Sequence, residues 1–79
     1  MRTPRQPAAA APLLRGIGLS VLVARKRQGM SQIAVAKLAG VSRFTMHRIE
    51  SGKAVESWAL ALVLDALGMS LVEAGNAKL

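Results

Sequence analysis

Four glycines divide most of this chain into short segments, and their spacing restricts the folds that the chain can adopt. They stand at positions Gly29, Gly40, Gly52 and Gly68. Glycine readily takes the left-handed backbone conformation that ends a helix. Apolar residues recur at helical spacing before these glycines, as Leu60, Leu64 and Leu67 do before the last one. The pattern predicts four helices, at about residues 13–28, 32–38, 43–51 and 57–67.

The length of 79 residues leaves room for one hydrophobic core. Residues 1–12 contain three prolines, a run of alanines and two arginines, so we predict a flexible basic tail there. The helical domain occupies residues 13–68. The residues directly after Gly68 are predicted to form one short β-strand. This strand lies in a C-terminal segment of residues 69–79. The expected fold is therefore all-α, with four to five helices and a short C-terminal strand.

Basic charge is concentrated in one part of the sequence. Eleven Lys and Arg residues against four Asp and Glu give a net charge of +7. Ten of the eleven cations lie within residues 1–53, where Glu50 is the single carboxylate, and residues 54–79 are mildly acidic. This distribution indicates a polyanionic partner, either a nucleic acid or an anionic membrane surface.

The glycine spacing decides between these two partners. A membrane-surface peptide needs one continuous cationic face on one long helix, and a membrane span needs about 20 apolar residues in a row. The longest apolar candidate, residues 13–24, contains Arg15 and two glycines. We therefore expect a nucleic acid and not a membrane as the partner, in a cytoplasmic protein.

Catalysis and metal binding have little support in the composition. The chain has no cysteine and one histidine, His47. Its four carboxylates are scattered along the sequence, whereas acid–base catalysis and metal binding need groups that converge. We expect no enzymatic activity, no metal and no cofactor.

Residues 30–53 carry the motif that points to function. Two of the short predicted helices lie here, joined by a turn at Gly40, and this is the arrangement of a helix-turn-helix. Ser31 and Ser42 stand where these helices begin and can cap them. On the second of the two helices, Met46 and Ile49 point to one side. The opposite side carries Phe44, His47, Arg48 and Ser51, as a helix that reads a DNA groove requires.

Residues 17–72 resemble the Cro/lambda-repressor-type (XRE) helix-turn-helix family. The matching residues are Arg25, Gly29, Ser31, Gln32, Leu38, Ala39, Gly40, Val41, Ser42, Thr45, Met46, Ile49, Glu50 and Gly52. The resemblance implies a lambda-repressor-like fold and sequence-specific binding of double-stranded DNA as a transcriptional repressor, associated with the nucleoid.

The resemblance also implies a role for individual residues. A partly buried ion pair between Arg25 and Glu50 would tie the first helix to the end of the recognition helix. The residues implied to contact bases are Arg43, Phe44 and Arg48. Those implied to contact phosphates are Gln32, Ser42, Thr45, His47 and Lys53.

Two of these positions depart from the family pattern. His47 stands where a small polar residue is frequent, and Phe44 stands where polar base readers are usual. Phe44 either touches a thymine methyl group or folds back onto the domain, and the sequence leaves both readings open.

Self-association is suggested by apolar residues in excess of one small core. They are Leu14, Leu19, Leu22, Val23, Leu62 and Val63. The predicted C-terminal strand has no partner strand in its own chain, so it would pair with its copy in a homodimer. Its residues are Met69, Ser70, Leu71, Val72 and Glu73. Trp58 is expected to be a packing or dimer-edge residue.

The C-terminal sequence LDALGMSLVEAGNA is similar to the end of HipB-type antitoxins. This similarity implies an antitoxin that represses its own operon as a homodimer on a palindromic operator. It also implies a HipA-like kinase toxin as a partner, which the antitoxin would neutralise. A phage- or plasmid-type repressor without a toxin is the alternative.

Overall fold

The computed structural model describes residues 10–70, and within this range the chain forms four α-helices. They are α1 (Ala10–Arg27), α2 (Gln32–Ala39), α3 (Arg43–Glu50) and α4 (Ser57–Ala66). No strand occurs among these residues, and the predicted all-α fold is confirmed. Helix α1 begins three residues before the predicted start at Leu13, so residues 10–12, expected in the tail, are helical. Pro12 is compatible with this start because the first N–H groups of a helix have no partner in the helix.

Local capping interactions define the two central helices. The Ser31 hydroxyl accepts a hydrogen bond from the N–H of Ala34 at 3.0 Å, and the Ser42 hydroxyl accepts one from the N–H of Thr45 at 3.0 Å. Gly40 ends α2 with a φ of 81°, a left-handed conformation that favours glycine. These three residues fix the turn between α2 and α3.

The core lies where α1 and α2 pack against α3, and where α4 packs against α2 and the edge of α3. Its largest fully buried side chains are Met46, Val21, Val35 and Val63. Val63 was expected among the surplus apolar residues, and the structure corrects this, because its side chain is at the centre of the core. Three of the other expected surplus residues are exposed, namely Leu19, Val23 and Leu62. The remaining two are half-buried, namely Leu14 and Leu22.

Helix α1 crosses the C-terminal end of α3 at very short range. The contact is made at Gly18, which is buried. A Cβ atom added to Gly18 would collide with the carbonyl oxygen of Ile49 and would lie 3.0 Å from that of Glu50. The absence of a side chain at Gly18 therefore lets α1 pack against the end of α3.

The chain after α4 does not begin a strand at the predicted position. Gly68 has a φ of 72°, and the N–H of Met69 donates to the carbonyl oxygen of Leu64 at 2.8 Å. Met69 packs against the core and caps the end of α4, so it does not extend away from the domain as a strand residue would. Ser70 is not in a strand either. The other predicted strand residues, Leu71, Val72 and Glu73, lie outside the described residues, as do residues 1–9.

Candidate nucleic-acid interface

Helix α3 separates its apolar and polar residues onto two faces. Met46 is completely buried and Ile49 is 3% exposed, and both pack into the core. The opposite face carries the exposed residues Phe44, His47, Arg48 and Ser51, as the helical period predicts. We call this face, together with Arg43 and Thr45, the outer face of α3. It is positioned by the two apolar anchors on the other side of the same helix.

One shallow depression lies between the start of α2 and the outer face of α3. It brings together four of the predicted contact residues, Gln32, Arg43, Phe44 and His47. The Arg43 guanidinium carbon lies 5.3 Å from the centre of the Phe44 ring, which is cation–π range. Phe44 is 72% exposed, so it does not fold back onto the domain. Its ring is accessible to a thymine methyl group.

A second depression lies between α3 and the first turn of α4. Thr45 and Arg48 line it together with Trp58. The Arg48 Nη2 atom donates to the carbonyl oxygen of Ala54 at 2.9 Å, which attaches the guanidinium to the loop after α3. Trp58 is 59% exposed and borders the same depression. The sequence reasoning did not place Trp58 here. The loop between α3 and α4, residues 51–56, is short and keeps the start of α4 near α3. The length of this loop could have predicted the position of Trp58.

The residues near the start and end of α3 that are predicted to contact phosphates take part in local hydrogen bonds. The Ser42 hydroxyl donates to Thr45 Oγ1 at 3.1 Å while it accepts from the N–H of Thr45, so its main role is to cap the helix. The Thr45 hydroxyl keeps its own hydrogen as a donor. Lys53 is exposed, and its N–H donates to the carbonyl oxygen of Arg48 at 2.9 Å. His47 Nε2 lies 3.5 Å from Ser51 Oγ.

Beneath the outer face, Arg25 and Glu50 form a two-point ion pair. The Nε to Oε2 distance is 2.6 Å and the Nη2 to Oε1 distance is 3.0 Å. Arg25 Nη1 also donates to the carbonyl oxygen of Met30 at 2.9 Å. The two side chains are only 11% and 7% exposed. The pair thus joins the end of α1 to the end of α3 in a largely water-free place.

The surroundings of this pair favour the charged form of both groups. Burial by itself would raise the pKa of the Glu50 carboxyl, but hydrogen bonds from Arg25 and Gln32 and the Arg25 charge outweigh it. The pKa of Glu50 is therefore below its ordinary value. The hydrogen bond with Glu50 raises the pKa of Arg25, against a smaller opposite effect of burial.

The charge distribution suits a polyanion at the outer face of α3. Arg43 and Arg48 lie on this face, while the carboxylate of Glu50 points inward to Arg25. The other carboxylates within residues 10–70 are Glu56, at the edge of the second depression, and Asp65 on α4. No group of three or more potential metal ligands occurs in this part of the chain. None of the described helices combines the length and apolar character needed to cross a bilayer.

The comparison with known families agrees with this geometry. Residues 23–75, more than half of the chain, match the family model described as a helix-turn-helix domain. The match begins within α1 and includes α2, α3 and α4. No curated protein matches the chain.

Proposed function

The chain belongs to the helix-turn-helix domain family and is a DNA-binding regulator, and we propose that it acts as a sequence-specific transcriptional repressor. The observation that carries the proposal is the outer face of α3. That face is exposed and cationic and is held by a fully buried anchor, Met46, on the opposite side of the helix. An α-helix of this kind fits the major groove of DNA, which is about 12 Å wide.

In this proposal, three side chains of α3 read bases. The Arg43 and Arg48 guanidinium groups match the two acceptor atoms that guanine presents in the major groove. Phe44 supplies an apolar contact for a thymine methyl group. One guanidinium nitrogen of Arg48, Nη2, donates to the carbonyl oxygen of Ala54. The other guanidinium N–H groups remain available to donate to a base.

The phosphate contacts would come from residues around the two depressions. Gln32 lies at the start of α2, and the Thr45 hydroxyl and the Lys53 ammonium lie at the two ends of α3. Such contacts fix the position of the protein on the duplex without reading its sequence. His47 and Ser42 have weaker support, because their side chains already take part in interactions within α3 or at its ends.

The Arg48→Ala variant tests base reading. We expect it to lower the affinity for the DNA upstream of its own reading frame by about tenfold, because an arginine–guanine contact contributes roughly 1–3 kcal/mol of discrimination. Binding to random DNA should weaken much less. Gel-shift titration of both duplexes at one salt concentration measures the two affinities.

Arg27→Ala is the matched control for that experiment. It removes one cation from the groove formed by α1 and the residues after α4, away from the outer face of α3. Its effect on the two duplexes should be equal and small. If Arg48→Ala also lowers both affinities equally, Arg48 contacts a phosphate and does not read a base.

The proposed repressor binds a palindromic operator as a homodimer. Two recognition helices about 34 Å apart would then meet successive major grooves on one side of the duplex. The exposed apolar residues Leu19, Val23 and Leu62 support self-association, since a monomer would leave them in water. In this proposal residues 71–73, the rest of the predicted C-terminal strand, pair with the same residues of the second copy.

Deleting residues 71–79 tests the dimer without damage to the described domain. Met69 is kept in this variant because it packs against the core and closes α4. We expect the truncated protein to sediment as a monomer at a concentration where the full chain is a dimer. A dimer mass for both proteins, with equal dissociation constants, would contradict a role of this segment in dimerisation.

Within this proposed function, the C-terminal similarity to HipB-type antitoxins supports a toxin–antitoxin operon. The protein would then repress that operon and bind a kinase-like toxin. Co-expression with the neighbouring reading frames tests this. A stoichiometric kinase-sized partner that strengthens promoter binding would support the antitoxin, and a homodimer that shifts the promoter alone would indicate a stand-alone repressor.

A further inference from the structure

The side chain of Gln32 is joined to the buried ion pair. Its Nε2 atom donates to Glu50 Oε1 at 2.9 Å, and the same oxygen accepts from Arg25 Nη2 at 3.0 Å. The Glu50 carboxylate thus receives three hydrogen bonds, two from Arg25 of α1 and one from Gln32 of α2. Residues of α1, α2 and α3 meet in this one cluster.

The chemistry of the carboxylate decides which way the Gln32 amide faces. An ionised carboxylate only accepts hydrogen bonds, so it must face the nitrogen of the amide and not the oxygen. One hydrogen on Nε2 is then used by Glu50, and the second hydrogen remains. Gln32 also lines the depression shared with Arg43 and His47, where an incoming phosphate would lie.

From this geometry we propose that Glu50 is a positioning residue for DNA binding, which orients the Gln32 amide so that its second N–H meets a backbone phosphate. The proposal rests on the proposed DNA-binding role of Gln32. Glu50 itself touches no DNA, because its carboxylate is buried and a negative charge would repel phosphate. The pKa of Glu50, held below its ordinary value, keeps the group an acceptor at neutral pH.

The arrangement reduces the entropic cost of the phosphate contact. A free glutamine side chain loses rotamer freedom when it binds, and this loss weakens the interaction. Here the loss has already occurred on folding, because Arg25 holds Glu50 and Glu50 holds Gln32. Arg25 is in turn fixed by the carbonyl oxygen of Met30, just before α2.

A double-mutant cycle with Gln32→Ala and Glu50→Gln tests the proposal. We expect each single variant to lower the affinity for operator DNA by about three- to tenfold, the range of one hydrogen bond. In the Gln32→Ala background, Glu50→Gln should lower the affinity no further. Each affinity is calculated per folded molecule, with the folded fraction taken from an unfolding curve. An equal loss in both backgrounds would show that Glu50 acts on the fold alone and would overturn the proposal.

A second measurement needs no change at Glu50. In the unaltered protein, ¹H–¹⁵N spectra resolve the two side-chain amide protons of each glutamine. We expect one proton of Gln32 to exchange with water at least tenfold more slowly than in an unstructured peptide, while the other stays fast until operator DNA is added. Two protons that exchange equally fast in the DNA-free protein would contradict the orientation by Glu50.

The outcomes also separate this inference from the proposed function. If Gln32→Ala leaves operator affinity unchanged, Gln32 makes no phosphate contact and the positioning role fails, while DNA binding by the unaltered chain stands. If the unaltered chain does not shift operator DNA at all, the proposed function itself fails.

Discussion

Replacing Arg25 by methionine will destabilise the fold by about 3–5 kcal/mol, the cost of leaving one member of a buried ion pair without its partner. The Glu50 carboxylate is 7% exposed and would keep only the hydrogen bond from Gln32. Methionine retains much of the apolar stem of arginine, so the loss of stability measures the contribution of the guanidinium group. Urea unfolding followed by circular dichroism measures the free energy of unfolding. A small domain has only a few kcal/mol of stability in total, so this loss is a large fraction of it.

Arg27→Met is the matched control. Arg27 lies two residues further along α1 and is exposed, and it makes no ion pair among the described residues. Removing its charge should change the free energy of unfolding by less than about 0.5 kcal/mol. If both variants lose the same stability, the effect comes from the lower net charge of the chain and not from the buried pair.

The pH dependence gives this prediction a second signature. The pKa of Glu50 is lowered in the folded protein, so its contribution to stability is present above the ordinary glutamate pKa, near 4.5. That contribution is lost as the pH falls through the lower pKa of the folded state. Without Arg25, burial should raise the pKa of Glu50. Acidification from pH 7 to 5 should then stabilise the Arg25→Met variant. In the unaltered chain, the contribution of Glu50 to stability should stay constant over this range.

Those parts of the fold that depend on neighbouring residues could be predicted from the sequence. The Ser31 and Ser42 caps and the turn at Gly40 act over three or four residues, and the structure has them where the sequence pattern predicts them. The two faces of α3 follow from the helical period alone. The pairing of Arg25 with Glu50, 25 residues apart, came only from the family resemblance, since no local pattern carries it.

Other features depend on how the helices cross, and the sequence does not carry that information. Residues 59–64 of α4 are all apolar, so their period could not show that Val63 enters the core while Leu62 stays exposed. The Arg48 bond to the Ala54 carbonyl uses a backbone atom that every residue has. The place of Trp58 beside α3 depends on the path of the loop before it.

The contact at Gly18 is the clearest case of this kind, and we expect Gly18→Ala to destabilise the fold. The added methyl group would collide with the backbone oxygen of Ile49 and lie 3.0 Å from that of Glu50. Backbone atoms cannot rotate away as the end of a side chain can, so α1 must move off α3. Overpacking of this kind costs roughly 1–3 kcal/mol, and here it also strains the Arg25–Glu50 pair.

The control for this substitution is two residues away in the same helix. Gly16 has no atom within 4 Å of the position that a Cβ would take. Alanine is favoured over glycine inside a helix by about 1 kcal/mol, so Gly16→Ala should raise the melting temperature by several degrees. Gly18→Ala gains the same free energy from helix propensity, but the free-energy cost of its collision should exceed this gain.

The difference between these two variants therefore isolates the close approach of α1 to α3. We expect the melting temperature of Gly18→Ala to be lower than that of Gly16→Ala by about 4–24 °C, since the collision costs roughly 1–3 kcal/mol and 1 kcal/mol corresponds to roughly 4–8 °C in a domain of this size. Thermal unfolding of the two proteins side by side gives the result. Equal melting temperatures would mean that α1 crosses α3 at a greater distance, and the buried pair between Arg25 and Glu50 would then lose its geometric basis.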